Sequence, residues 1–310
     1  MELLDSLARK GFVVVTGKGG VGKSTAAAVL ARWMAREGAA AGRRVLVVEV
    51  DPRENLHQLL GAPPSAGEIA GVGDGLWLQH LKPRAVVDRV IEERLRLGAV
   101  VRRVQASAVY QHFVDGAPGL KELAILEHVR RQLDGGHFDT VILDAPATGH
   151  GASMLRAPRL VAEVVEGGPF GRIATRIAEL VGDPDRSAVA VVTQAEEMPV
   201  QEALELSRML AAELDRRPDL LVVNGLYPPL PDEGRRAGAG AASALDGAPA
   251  ALVDLWRRRR AVNLRELARL AAEWPQGSGR IELPLLPVAR GPELVAALVR
   301  CIALQQGGGG

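Results

Sequence analysis

Residues 17–25, GKGGVGKST, fit the spacing G-x-x-x-x-G-K-[ST]. The apolar run 12–15 (FVVV) precedes them and the helix-forming run 26–32 (AAAVLAR) follows, so they sit in a strand–loop–helix context. Gly17, Gly19, Gly20 and Gly22 lack a Cβ, which lets the chain around Val21 wrap tightly and aim several N–H groups at one anion. The helix expected from Lys23 adds the positive end of its dipole. In such a loop Lys23 reaches β- and γ-phosphates, Ser24 is a ligand of Mg²⁺, and Thr25 offers a hydroxyl to the α-phosphate. Nucleotide binding is the expected chemistry. Lys18 is not required by that loop chemistry and calls for a separate explanation.

Composition sets limits. The chain has 310 residues, a net charge of +1 and an isoelectric point near 8.0, so no global field favours nucleic acid or a membrane. A single cysteine excludes a disulfide framework and suits a reducing cytoplasm. No uninterrupted apolar stretch near the N-terminus has the length of a signal peptide or a membrane span.

The elements that must position the loop alternate. Strands are predicted at 12–16, 44–50, 76–81, 138–143, 188–193, 219–223 and 280–283, mostly as continuous Val and Leu runs suited to parallel strands covered on both faces. Helices are predicted at 23–37, 84–97, 119–133, 170–181, 199–214, 250–272 and 292–304. This pattern predicts an α/β fold, a doubly wound and mostly parallel sheet flanked by helices. Segment 232–249, rich in Ala and Gly, is expected to be a mobile surface loop, and 305–310 a disordered tail.

Ligands of such sheets bind beyond the carboxyl ends of the strands. Those places read DPRENL (51–56), DAPATGH (144–150), NGLYP (224–228) and LPLLPVARG (283–291). With GKGGVGKST and the stretch Glu196-Glu197-Met198-Pro199-Val200-Gln201-Glu202, they resemble the arsenical-pump ATPase (ArsA) family. That family includes the ATPase targeting tail-anchored membrane proteins, in the deviant-Walker (SIMIBI) class of P-loop ATPases. The resemblance covers about residues 12–300, and its elements must converge on one pocket. One domain spanning 1–310 is therefore expected, with a helical subdomain from about 84–134 and 157–182.

The resemblance implies roles. Lys18 would cross a twofold interface to the partner's nucleotide phosphates, as an arginine finger does. Asp51 would orient or deprotonate the attacking water in a switch loop that includes Asn55. Two departures stand in that loop: Arg53 and Glu54 replace the family's small residue and histidine. Asp144 would be the Walker B acid, holding Mg²⁺ through water, and Gly149 would bring an N–H near the γ-phosphate. His150 is part of the same switch. The Asn224 amide can both donate to and accept from adenine, and Pro284, Leu286 and Pro287 would wall the base. The cofactors implied are ATP and Mg²⁺.

The resemblance further implies a homodimer that hydrolyses ATP to drive a conformational switch handling a protein client or membrane-associated partner. A partitioning or positioning ATPase of the same class, and a non-catalytic ATP-dependent scaffold, are the alternatives. Arsenite chemistry needs soft thiolates. Cys301 is the single cysteine, expected to be a buried apolar thiol, so neither arsenite nor zinc is expected. The run Arg257-Arg258-Arg259-Arg260 points around most of a helix rather than along one stripe, so nucleic acid is not expected either.

Overall fold

The computed structural model describes residues 6–50, 54–95, 116, 119–146, 151–165, 168–230 and 249–307. Its strands are β1 (Phe12–Gly17), β2 (Val45–Glu49), β3 (Ala70–Gly73), β4 (Leu76–His80), β5 (Thr140–Asp144), β6 (Ser187–Gln194), β7 (Leu220–Leu226) and β8 (Gly279–Pro284). They form one sheet in the order β3-β4-β2-β5-β1-β6-β7-β8, parallel throughout except for β3, which pairs antiparallel with β4. The fold is the doubly wound α/β sheet that the sequence predicts.

The α-helices among the described residues are α1 (Lys23–Gly38), α2 (Leu56–Leu60), α3 (Pro83–Leu95), α4 (Leu120–Asp134), α5 (Gly151–Val164), α6 (Gly168–Gly182), α7 (Glu197–Leu214), α8 (Ala250–Glu273) and α9 (Pro292–Gly307). Alternation along each central strand explains how both faces are buried. Phe12 and Val14 belong to one apolar cluster, with residues of α3 to α8. Val13 and Val15 belong to the other, with α1, α2 and α9. The α3 to α8 face includes the described helices within 84–134 and 157–182, while 96–115, 117–118 and 166–167 of that expected subdomain lie outside the described residues.

Several boundaries differ from expectation. Strand β5 begins at Thr140, not 138: the Phe138 N–H donates back to Gln132 O at 3.3 Å, and its ring packs edge-on against Trp77, with centroids 5.5 Å apart. Strand β3 was not expected: its sequence, AGVG, has no apolar run, and a turn at Asp74 and Gly75, both with positive φ, folds it back on β4. The short α2 lies between the predicted strands 44–50 and 76–81, where no helix is predicted. Helix α5 starts at Gly151, six residues ahead of the expected layer, and continues past Pro158. Helix α9 runs to Gly307, so residues 305–307 of the expected tail are helical. The tail's last three residues, and 232–248 of the expected loop, lie outside the described residues.

Two buried ion clusters fasten the α3 to α8 side. Glu127 receives hydrogen bonds from Arg130 Nε at 2.8 Å and Arg131 Nε at 2.9 Å. Burial pushes its carboxyl up, but these two guanidinium groups outweigh it and hold the pKa below the usual 4.5. Arg216 donates to Val181 O, Ser187 O, Ser187 Oγ and Asp219 Oδ2 at 3.0–3.2 Å, closing the β6 and β7 entry turns.

Candidate nucleotide site

The parallel registers place the expected site residues side by side. Asp144 ends β5 opposite Val15 of β1, Gly17 lies opposite Val192 of β6, and Asn224 lies opposite both Gln194 of β6 and Leu283 of β8. Each stands at the carboxyl end of its strand, so the sheet gathers them on one edge around the loop after β1.

The loop has the conformation its glycines allow. Gly17, Gly20 and Gly22 have φ of 146°, 86° and 92°. A Cβ on Gly17 would lie 2.3 Å from Val192 O, and one on Gly22 would lie 2.1 Å from Asn224 Nδ2. Lys18, Gly19 and Gly20 are exposed at the rim, whereas Val21 and Lys23 are buried beneath it. The Lys23 ammonium turns back over the loop and donates to Lys18 O at 3.0 Å. Ser24 and Thr25, both half-buried, form the first turn of α1 after Gly22, whose left-handed φ starts the helix. This is an anion cradle with a cation already inside it.

Asn224 is brought to the loop as well as to the sheet edge. Its Nδ2 donates to Val21 O at 2.9 Å, so one of its two donor hydrogens holds the loop, leaving Oδ1 and the second hydrogen for the expected base contact. Pro284 ends β8, Leu286 packs on the apolar cluster beneath it, and Pro287 is exposed.

Lys18 and Asn55 have partners that sequence reasoning missed. Lys18 Nζ lies 2.5 Å from Glu202 Oε1 of α7, with the lysine side chain 52% exposed. The lysine is thus held within its own chain, by the last residue of the quoted 196–202 stretch. Asn55 precedes α2 and donates its N–H to Glu49 at 2.9 Å. The departure at Glu54 is an anchor: its Oε1 accepts the Ser65 N–H at 2.6 Å, and its Oε2 lies 3.9 Å from His80 Nδ1. Asp51, Gly149 and His150 lie outside the described residues.

The donors fit a hydrated Mg²⁺. Ser24 at the helix start and Asp144, only 2% exposed, supply the hard oxygens that Mg²⁺ prefers, next to a loop that a single Cβ would close. Among the described residues no group of three His, Cys, Asp or Glu side chains could hold a metal ion by itself. Cys301 is a free thiol, half-buried rather than fully buried as expected. The arginine run disperses: Arg257 approaches Asp254, Arg259 approaches Glu196, and Arg260 donates to Tyr227 O.

A parallel sheet with this loop after its central strand, and an acid ending the neighbouring strand, defines a P-loop nucleotide-binding protein. The model of the anion-transporting ATPase (ArsA) family matches residues 10–168, just over half of the chain, and the chain belongs to that family. It is 31% identical to ATPase BagA of Mycobacterium tuberculosis over 64% of this chain and 60% of that protein. It is 28% identical to ATPase GET3 of Eremothecium gossypii over 63% of this chain and 59% of that one. With ATPase ASNA1 homolog 1 of Paramecium tetraurelia the identity is 25%, over 48% and 44%. The chain thus spans about 60% of the length of the first two of these relatives. No helix among the described residues is long and apolar enough to cross a membrane.

Proposed function

We propose that the chain is a homodimeric cytoplasmic ATPase that hydrolyses ATP to ADP and phosphate, using the cycle to switch conformation on a protein client or membrane-associated partner. The observation that carries this reading is the convergence of Lys18, Lys23, Ser24, Asp144 and Asn224 on one sheet edge, with Lys18 exposed at its rim. Family membership and the names of its relatives support it.

In this reading the loop amides and Lys23 bind the β- and γ-phosphates, and Asn224 selects the adenine. Pro284, Leu286 and Pro287 wall the base. Ser24, with Asp144 acting through water, holds Mg²⁺, which when bound neutralises phosphate charge. Asp51 orients a water against the γ-phosphorus. Its oxygen forms a new P–O bond, the bond to the β–γ bridging oxygen breaks, ADP leaves, and the water proton passes to solvent. Lys18 leaves Glu202 and meets the second subunit's phosphates. Asn55, Gly149 and His150 belong to the segments that sense the γ-phosphate.

The test is a pair of variants. Asp51→Asn keeps ATP binding and slows turnover at least ~100-fold, the scale of lost water positioning. Lys18→Ala keeps the nucleotide affinity of the monomer but weakens the ATP-dependent dimer in light scattering and lowers turnover. Normal turnover in the first variant removes Asp51 from the mechanism. An unchanged dimer with unchanged turnover in the second removes the contact across the subunits.

A further inference from the structure

Glu49 has no role in the readings above, yet it is fully buried at the last position of β2. Its register partner on β5 is Asp144, and on β4 it is His80. Two carboxylates therefore stand abreast at the carboxyl edge, Asp144 one strand and Glu49 two strands away from the strand that leads into the phosphate loop. The Glu49 backbone is pinned too, its carbonyl accepting the Leu81 N–H at 2.8 Å. A buried carboxylate is costly unless backbone donors meet it, and here they do. Asn55 N–H lies 2.9 Å from Oε1 and 3.0 Å from Oε2, and Leu56 N–H lies 3.2 Å from Oε2. One side chain thus fastens the start of α2 to the end of β2, and those two points are the ends of the connection that contains Asp51.

We infer that Glu49 is a positioning residue for ATP turnover: it fixes both ends of the Asp51 connection against the strand bearing Asp144. This rests on the proposed role of Asp51. Glutamine keeps the shape but turns one acceptor into a donor facing N–H groups. Aspartate keeps the charge but is shorter by one methylene. Either change displaces the connection while leaving the phosphate loop and Lys23 in place.

The experiment makes Glu49→Gln and Glu49→Asp, each alone and together with Asp51→Asn. It measures steady-state phosphate release, the Kd of a fluorescent ATP analogue with Mg²⁺, and the thermal midpoint. Glu49→Gln is expected to lower kcat about 10- to 100-fold, the scale of a misplacement near 1 Å, while Kd stays within about threefold. Glu49→Asp should recover part of that loss. In the Asp51→Asn background Glu49→Gln should cost less than about twofold more, because groups acting as one unit are not additive. An unchanged kcat, an equal loss in both backgrounds, or a parallel loss of nucleotide binding overturns the inference. If Glu49→Gln does not fold, Glu49→Asp is read by the same criteria. Failure of both to fold reduces Glu49 to a fold-holding group and also overturns it. Normal turnover by Asp51→Asn alone sinks the proposed mechanism instead, whereas a slow Asp51→Asn with a normal Glu49→Gln sinks this inference only.

Discussion

Two glycines of the phosphate loop should respond very differently to the same methyl group. Gly20 has φ of 86° and, among the described residues, nothing within 4 Å of a Cβ, so Gly20→Ala incurs only the left-handed backbone term, about 1–2 kcal/mol. Gly17 has φ of 146°, and its Cβ would meet Val192 O at 2.3 Å, where real Cβ contacts do not fall below 3.0 Å. The shortfall is 3.0 − 2.3, or 0.7 Å. It falls on a carbonyl of β6, which is paired on both sides, with β1 and β7. That backbone cannot move alone, so overpacking adds about 1–3 kcal/mol, giving Gly17→Ala a total near 3 kcal/mol or more. For a chain of this size each kcal/mol shifts the midpoint by about 2 °C. Calorimetry of the nucleotide-free protein should show a fall of about 2–4 °C for Gly20→Ala and at least ~6 °C for Gly17→Ala. Equal shifts, or a neutral Gly17→Ala, would refute the idea that the loop is fixed by its contact with β6 before any ligand arrives.

Other perturbations probe separate parts of the molecule. Glu127 has a depressed carboxyl pKa, so its contribution is full above about 4.5 and is lost as pH falls below that toward the folded-state value. Glu127→Gln should lower stability at pH 7 and flatten the acid limb of a stability–pH curve; an identical limb would show that the cluster contributes nothing. Arg216→Met strands buried acceptors at Val181, Ser187 and Asp219 and should cost about 3 kcal/mol in denaturant titration, the lower end for a broken buried pair, since Asp219 retains some solvent. Arsenite and antimonite should not accelerate hydrolysis, and chelator-washed protein should hold no stoichiometric zinc. Stimulation by either metalloid, or zinc by elemental analysis, would restore a metal-linked role.

The phosphate loop was legible because its chemistry is local: glycines, lysine and hydroxyl fall within nine consecutive residues between a strand and a helix. Asp144 and Asn224 were legible for a related reason, since a polar residue ending an apolar run marks a sheet's carboxyl edge. Glu49 carried that signal too, inside RVLVVEV, but the aspartate two positions later drew the reading. Strand order was not legible. That β5 inserts between β1 and β2 depends on long-range pairing, which no window of sequence reports. Likewise Glu202 gave no local sign that it would meet Lys18, 184 residues away in sequence.

The central position of β1 bears on how the chain is made. Phe12 pairs with Val141 and Ser187, so the strand that leads into the phosphate loop leaves the ribosome roughly 130 residues before its first neighbour. At ~5–20 residues per second, the run FVVV waits about 6–26 s with both edges open. An apolar strand with unpaired edges invites association with other chains, so nascent chains ending before β5 should lean on chaperones more than the finished fold does. The last of the proposed site residues, Pro287 just after β8, comes 270 residues after Gly17, since 287 − 17 = 270. The loop is thus synthesised near the start, and the pocket around it closes near the end.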